Sequence, residues 1–453
     1  MAVGDADLAG RLERLLAVHG SSGRVLDLVR LSGGASRETF SFDLDVDGEV
    51  RGLILQRVRP GASASTTGIG IGLEADVLRR ARSHGVAVAE VVASDDGGVL
   101  GSAGMVVQRL TGETIARKLL RDAEWAEARS RLGAQMGTAL AAIHAIPVGE
   151  VAGLRATDQL QQLKAILDTL GEPHPAFELG FRWLEANRPS ERPPCIVHGD
   201  FRLGNLLVDH AGLAAVLDWE LAHLGDPVED LGWLCVRAWR FGSALPAGGV
   251  ATRAELVGAY EAASGTLVAP EALHWWELLG TLKWGVICVM QAFGHQSGAS
   301  RSVELATIGR RVCENEWDVL GLLSGGPLAG PEPRSSTPVP TLHDRPHLHE
   351  LVEAVREWVD GDVREGTDGR LSFHARVAAN ALRMVERELA QGPGPAAAHA
   401  ERLAALGCAD DVELAARLRA GDFDERAAEV RRLVAASVHD KLMVANPGWL
   451  QPD

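Results

Sequence analysis

Lysine is scarce in this chain, which restricts how any site that needs a positive charge can be built. The 453 residues contain lysine only at Lys118, Lys164, Lys283 and Lys441, so residues 1–117 have none. Arginine therefore supplies nearly all the positive charge. Arginine does not simply replace lysine, because its guanidinium is bulkier, binds phosphate through two N–H groups at once and keeps its proton. A phosphate site within residues 1–117 must use arginine or a neutral donor.

Other absences exclude whole classes of protein. No run of 18 or more apolar residues occurs, and the N-terminal segment lacks a signal-peptide core, so the sequence predicts no membrane span. The five cysteines are scattered without a C-x-x-C pair, which disfavours a thiolate metal site and favours a reducing, cytoplasmic location. With 45 basic against 61 acidic residues, the net charge of −16 disfavours nucleic acids and anionic membranes as partners.

Local patterns divide the chain into four parts. Residues 1–112 show short strands with period two and one helix over 73–85, which predicts a small β-rich lobe. Residues 113–323 are mostly helical, with short strands near their centre, and 324–346 form a linker rich in Pro, Gly and Ser. Residues 347–453 show helical spacing throughout. We therefore predict an α+β fold followed by an all-α domain.

One stretch, "IVHGDFRLGNLLVDHAGLAAVLDWE" at 196–220, places acceptor side chains among apolar strands. Phosphoryl transfer from ATP needs a carboxylate that takes the hydroxyl proton, with Asn and Asp ligands that hold Mg²⁺ on the phosphates. The protein-kinase pattern puts the Asn five residues after the first Asp and the second Asp after an apolar strand. Asp200, Asn205 and Asp218 have this spacing. Asp200 is the predicted base, His198 its orienting partner, and Asn205 and Asp218 are the predicted metal ligands.

A structural interpretation of the same residues is that each is a turn or strand-end residue, as any one of them alone would be. The joint spacing, with strands between, is far more specific than a single turn motif.

The stretch, together with "LSGGASRETFSF" and "AAIHAI", resembles the aminoglycoside phosphotransferase family of small-molecule kinases. The resemblance covers about residues 5–325. Within that family, the chain most resembles the branch that includes the kinase-like N-terminal part of some long acyl-CoA dehydrogenases. The resemblance implies a bilobal protein-kinase-like fold, with a small β-rich N-lobe and a helical C-lobe, that uses ATP and Mg²⁺. The last hundred or so residues resemble a helical domain that bacteria attach to such kinases.

The resemblance also assigns nucleotide-binding positions. Gly33, Gly34 and Ser36 match the loop over the phosphates, and the backbone of Gln108 or a neighbour matches the hinge that bonds adenine. Glu74 matches the glutamate that pairs with the phosphate-binding cation, although a solvated helix acid is an equally good interpretation.

The chain departs from the family at that cation. The pattern has a lysine at the end of the third strand, where "GLILQRVRP" has Gln56 followed by Arg57. Arg57 is the candidate, but a strand's period of two puts Gln56 and Arg57 on opposite faces. If Gln56 alone faces the cleft, nucleotide binding or catalysis is weakened.

The acceptor pocket is expected in the helices at about 232–320, which are rich in tryptophan, and the stretch "WELLGTLKWGVICVMQAFGHQ" at 276–296 is poor in acids. This composition favours an apolar acceptor over a polyamine. The branch is associated with phosphorylating hydroxyacyl-CoA thioesters, so a hydroxyl of such a molecule, or of a related hydroxy acid, is the first expected acceptor. An antibiotic such as an aminoglycoside is the second. A third alternative is an inactive ATP-binding adaptor, with the C-terminal helical domain docking a protein partner.

Overall fold

The computed structural model describes residues 5–31, 37–59, 68–326, 328–331 and 345–451. The chain forms two compact units, one of Met1–Thr157 with Ser190–Glu277 and the other of Asp158–Pro189 with Leu278–Asp453. Within the described ranges, no helix has the length and apolar character needed to cross a bilayer.

The strands are β1 Arg24–Arg30, β2 Arg37–Val46, β3 Glu49–Val58, β4 Val91–Asp96, β5 Ala103–Gln108, β6 Cys195–Val197, β7 Leu206–Asp209, β8 Gly212–Val216 and β9 His223–Gly225. The helices up to residue 296 are α1 Asp5–Val18, α2 Ile71–Ser83, α3 Ala116–Arg121, α4 Ala126–His144, α5 Gln159–Leu170, α6 Pro175–Ala186, α7 Val228–Cys235, α8 Arg253–Ser264 and α9 Pro270–Gln296. The later helices are α10 Val303–Ile308, α11 Val312–Ser324, α12 Leu348–Trp358, α13 Gly369–Gln391, α14 Gly394–Ala405, α15 Asp411–Ala420 and α16 Ala427–Ala445.

The first unit begins with an antiparallel sheet in the order β1-β2-β3-β5-β4. Because side chains alternate along a strand, each face buries its own set. Phe40, Leu55 and Val106 face one way and pack with the apolar side of α1. Met105 and Val107 face the other way and join the core that contains α2. Both faces are therefore covered, and the predicted β-rich lobe is confirmed.

The rest of the first unit is largely helical and carries two small sheets, β6-β9 and β7-β8. One continuous apolar core links α4, α7 and α8 with these short strands and with α2. This core fixes the loop between β6 and β7, where the HGD sequence lies.

The second unit is all helical among the residues that the structure describes, which confirms the predicted helical C-terminal stretch. Its core joins Ala176 of α6 and Trp317 of α11 with apolar residues of α14, α15 and α16. Because of this packing, the compact units divide the chain at other places than the sequence boundaries proposed above.

Candidate active site

Asp200 lies in the loop between β6 and β7, and three neighbours hold its carboxylate. Trp233 Nε1 donates to Oδ1 at 2.8 Å, and Asn205 Nδ2 donates to Oδ2 at 2.6 Å. Arg202 Nε donates to the carboxylate at 3.1 Å. The side chain is 15% exposed, so it is fixed in orientation and still open to a reactant. A carboxylate held in this way can accept a proton from a bound hydroxyl.

His198 is buried beside Asp200 and has a defined tautomer. Its Nδ1 accepts the backbone N–H of Asp200 at 3.2 Å, and its Nε2 lies 3.0 Å from the carbonyl oxygen of Leu217. A backbone N–H only donates and a carbonyl only accepts, so the proton sits on Nε2. Burial lowers the pKa of His198. With both ring nitrogens bonded to the main chain, the neutral ring is not arranged to exchange a proton with a substrate.

Asp230, on α7, braces the same loop from beneath. Its carboxylate accepts the backbone N–H groups of His198 and Gly199 at 2.8 and 2.9 Å, and it lies 3.2 Å from His144 Nε2. Burial alone would raise the pKa of Asp230, but the hydrogen bond and charge of His144 and the backbone donors hold it at about 2. Asp230 is therefore an anion that fixes the two residues before Asp200.

The predicted metal ligands Asn205 and Asp218 are brought together by main-chain bonding. The N–H of Leu217 donates to the carbonyl oxygen of Asn205 at 2.8 Å, which joins the two segments directly before Asp218. Asp218 has a φ of 61°, which non-glycine residues rarely adopt. Such a conformation persists only where the surroundings hold it, and it occurs often at functional sites.

The charges around Asp218 suit a cation. Its side chain reaches solvent, yet loss of bulk hydration in the cleft, followed by the negative charges of Glu220 and Asp200, raises its pKa to about 6. Asn205 uses Nδ2 to bond Asp200, which leaves its amide oxygen as a ligand. Among the described residues, no group of three or more His, Cys, Asp or Glu side chains forms a metal cage. Mg²⁺ needs none, because it commonly takes one or two protein ligands and completes its shell with phosphates and water.

The predicted nucleotide-binding residues are only partly described. Gly33, Gly34 and Ser36 lie outside the described residues. The N–H of Gln108 donates to the carbonyl of Glu90 at 2.9 Å, so an adenine contact here would use the Gln108 carbonyl or a neighbour. Glu74 is in the first turn of α2 and is 2% exposed, which excludes the solvated-acid interpretation. Burial raises its pKa to about 7, although Arg37 opposes this.

The structure shows which way Gln56 and Arg57 face. Arg57 pairs with Glu38 across β2 and β3, Nη2 lies 2.8 Å from the Glu38 carboxylate, and the guanidinium lies over Phe40. This is the face covered by α1. Gln56 pairs with Met105 on the face covered by α2. Arg57 therefore lies on the opposite face from Glu74.

Two side chains at the site, Arg37 and Arg202, were missed from the sequence, and a third, Trp233, lies in the tryptophan-rich stretch expected to form the acceptor pocket. Arg37, the first residue of β2, forms an ion pair with Glu74, and its Nη2 lies 3.3 Å from Glu220. Arg202 contacts Asp200 and stacks over Trp239 at 4.9 Å, and Trp233 lies 5.1 Å from Trp239. Arg202 could have been found as a cation two residues after the base. Arg37 is distant in sequence from its partners, and no local pattern marks it. The same distance hid the hydrogen bond from Trp233 to Asp200.

Comparison with known proteins identifies a family for most of the first 279 residues. Residues 27–279 match the model of the "Phosphotransferase enzyme family", and residues 365–449 match a domain of unknown function, DUF6285. A crystal structure of a Ralstonia eutropha protein, provisionally named an aminoglycoside phosphotransferase, superposes with a TM-score of 0.55 and 22% identity. The match covers 68% of this chain and 97% of that one. At this identity the likeness shows the fold.

Curated relatives match over short segments. Mouse acyl-CoA dehydrogenase family member 10 is 43% identical over 74 residues, which is 16% of this chain and 7% of that protein. Rat acyl-CoA dehydrogenase family member 11 is 43% identical over 63 residues, 13% of this chain and 8% of that protein. The chain thus matches less than a tenth of the length of these relatives.

Proposed function

Since this chain belongs to the phosphotransferase enzyme family, we propose that it transfers the γ-phosphoryl group of ATP to the alcohol group of a small molecule. The observation that carries the proposal is the carboxylate of Asp200, oriented by Trp233 and Asn205 and left partly open to the cleft. The charge of Asp200 acts on Asp218, and that of Asp218 acts on the buried Glu74, so the three carboxyl groups lie near one another.

The proposed reaction is a direct in-line transfer. Asp200 accepts the proton of the substrate hydroxyl while the hydroxyl oxygen forms a bond to the γ-phosphorus. The bond between that phosphorus and the oxygen bridging to the β-phosphate breaks, and ADP leaves with the electron pair. Trp233 and Asn205 keep the carboxylate pointing at the hydroxyl, and Arg202 places a positive charge beside it.

The proposed metal ligands are Asn205 and Asp218, as predicted from the sequence. When bound, Mg²⁺ offsets charge on the phosphate oxygens. In the absence of a cation, the negative charges of Glu220 and Asp200 repel that of Asp218. A bound divalent cation offsets this repulsion. The remaining nucleotide positions, Glu74 and the backbone at Gln108, stand as proposals from the resemblance.

We propose a hydroxyacyl-CoA, or a related hydroxy acid, as the acceptor. Two observations support this choice. The first is that Trp233 and Trp239, both largely buried, pack against each other beside the base, and such apolar surroundings suit an apolar chain better than a polyamine. The short matches to acyl-CoA dehydrogenase family members provide the second. An aminoglycoside kinase and an inactive nucleotide-binding adaptor are the alternatives that the experiment must separate.

The test is ADP release from Mg-ATP with 3-, 4- and 5-hydroxyacyl-CoAs, free hydroxy acids and aminoglycosides. We expect turnover on a hydroxyacyl-CoA, and a loss of about 10²- to 10⁴-fold in kcat for Asp200→Asn, since general-base catalysis contributes about that much. The matched control is Asp209→Asn, the same chemical change at a turn residue that accepts the N–H groups of Ala211 and Gly212.

Each contrary outcome points to a different error. Turnover only on aminoglycosides would reject the acyl-CoA acceptor and keep the reaction class. Equal activity of wild type and Asp200→Asn would reject Asp200 as the base. No turnover on the whole panel, with ATP still stabilising the protein in a thermal shift assay, would favour the adaptor.

A further inference from the structure

Arg37 connects three parts of the cleft. It begins β2, directly after the glycine-containing segment 33–36 in sequence, and it is the only β2 residue with an ion pair to α2 among the described contacts. Its Nη1 contacts Glu74, and its Nη2 lies 3.3 Å from the carboxylate of Glu220, two residues after Asp218. The Glu220 carbonyl in turn accepts the N–H of Ile69, just before α2, at 2.8 Å. Arg37 therefore lies between the helix and the proposed metal ligand.

The strand register puts Arg37 on the same face as Gln56. Gln56 lies opposite Thr39, and Arg37 is two residues before Thr39 on β2. Diagonal neighbours of this kind lie about 7–8 Å apart, within reach of an arginine side chain. Arg57 is on the other face, held by Glu38 and by Phe40 under α1. The side chain of Arg37 can therefore occupy the space beside Gln56, whereas Arg57 lies on the other side of the sheet and cannot.

We infer that Arg37 is the phosphate-binding cation of the nucleotide site and takes the role that a third-strand lysine has in other kinases; this inference rests on the proposed function. The two carboxylates on Arg37 differ in a way that fits the role. Glu74 is 2% exposed and holds one side of the guanidinium, as the helix glutamate holds the lysine in kinases. Glu220 is 36% exposed, so a phosphate oxygen can displace it from Nη2. Guanidinium N–H groups bind phosphate well, often two at a time.

The competing explanation is that Arg37 only neutralises the buried Glu74. The two explanations differ for a double variant. Arg37→Gln alone leaves Glu74 buried without its partner, so any loss of binding could come from local damage. Arg37→Gln with Glu74→Gln removes both charges together and leaves two amides that can bond each other. If Arg37 contacts phosphate, the double variant still binds nucleotide poorly. If Arg37 only balances Glu74, the double variant recovers.

The experiment is isothermal titration of the full chain with the non-hydrolysable analogue AMP-PNP in the presence of Mg²⁺, so that binding is measured without turnover. We expect at least a tenfold higher Kd for Arg37→Gln and for the double variant. Arg57→Gln tests the rival position and is expected to change Kd less than twofold. Arg51→Gln is the matched control, because Arg51 is a β3 arginine in a surface pair with Glu90. Circular dichroism and thermal melting check that each variant is folded.

A double variant that binds as wild type does, or a loss seen with Arg57→Gln and not with Arg37→Gln, would overturn the inference while leaving the proposed function intact. A wild-type protein that binds no nucleotide would overturn both.

Discussion

Asp230 gives the most direct test of how the HGD loop between β6 and β7 is held. The perturbation is Asp230→Asn, which keeps the size of the side chain and removes its charge. In the wild type the fully buried carboxylate accepts the N–H groups of His198 and Gly199. Asparagine can accept one of these with its amide oxygen, but its NH₂ group then faces the other N–H, and two donors cannot bond each other.

The expected loss of stability follows from those contacts. A hydrogen bond to a charged group contributes about 1.5–3 kcal/mol, and a buried donor left without a partner costs about 1–3 kcal/mol. Together they predict that Asp230→Asn lowers the free energy of unfolding by roughly 3–5 kcal/mol. The pKa of Asp230 gives a separate figure. Because folding lowers it from 3.8 to about 2, the ionised carboxylate adds on the order of 2 kcal/mol to the free energy of unfolding.

The sign of the pH dependence follows from the direction of this shift. Because the folded protein holds the pKa of Asp230 below its unfolded value, the stabilisation is fully present above about pH 4 and is lost as pH falls towards 2. Asp230→Asn should remove this part of the acid sensitivity.

The assays are urea unfolding at pH 7 and at lower pH, and amide hydrogen exchange of the peptide that contains His198 and Gly199. We expect exchange in this peptide to become faster in the variant. The matched control is Asp226→Asn, which alters a single backbone bond, from the N–H of Val228, and should cost about 1 kcal/mol or less. A change below about 1 kcal/mol for Asp230→Asn, with unchanged exchange at Gly199, would refute the bracing role.

Two further substitutions test the packing of each unit by thermal unfolding. Gly199→Ala should destabilise the first unit by about 2 kcal/mol or more, because Gly199 has a φ of 78° and a Cβ would lie 2.4 Å from the carbonyl oxygen of Leu221. The control is Gly171→Ala, which should cost only about 1 kcal/mol, because Gly171 has a similar φ of 69° but open space around it. Equal effects of the two changes would contradict this. Glu316→Gln should destabilise the second unit by about 2–3 kcal/mol, since buried Glu316 bonds His174 Nδ1 at 3.0 Å and Lys441 Nζ at 3.2 Å. Burial would raise the pKa of Glu316, yet Lys441 and His174 hold it at about 2, so a variant as stable as wild type would show that these contacts contribute little.

The candidate site could be read from the sequence because its parts are local, and the catalytic roles of these residues stay a prediction. His198, Asp200, Asn205 and Asp218 fall within 21 residues, and short apolar strands on either side leave the chain few ways to fold between them. The helix predicted over 73–85 is observed as Ile71–Ser83, a difference of two residues at each end. Periodicity defines the body of a helix better than its ends.

The phosphate-binding cation could not be placed from the sequence, because both faces of the N-lobe sheet are buried. In "GLILQRV" the residues Leu53 and Leu55 alternate with Ile54 and Gln56, and each set has an apolar member. Alternation tells the two faces apart only when one of them meets water. Which face meets α1 and which meets α2 is decided by long-range packing, so the choice between Gln56 and Arg57 had no local answer.

The lack of lysine in residues 1–117 therefore does not leave the cleft without a cation. Position 56 lies on the face of β3 that α2 covers, and the arginine at position 37 reaches Glu74 on this face from the start of the neighbouring strand. A neutral residue at position 56 is tolerated because Arg37 already places a positive charge on this face, between Glu74 and Glu220. Gln56 and Arg37 are then one arrangement rather than a defect and an unrelated ion pair. By this argument Gln56→Lys should restore part of the AMP-PNP binding that Arg37→Gln loses, because it returns a positive charge to the same face. AMP-PNP titration of Arg37→Gln with and without Gln56→Lys tests this. An unchanged Kd after the second substitution would contradict the idea that position 56 and Arg37 serve the same phosphates.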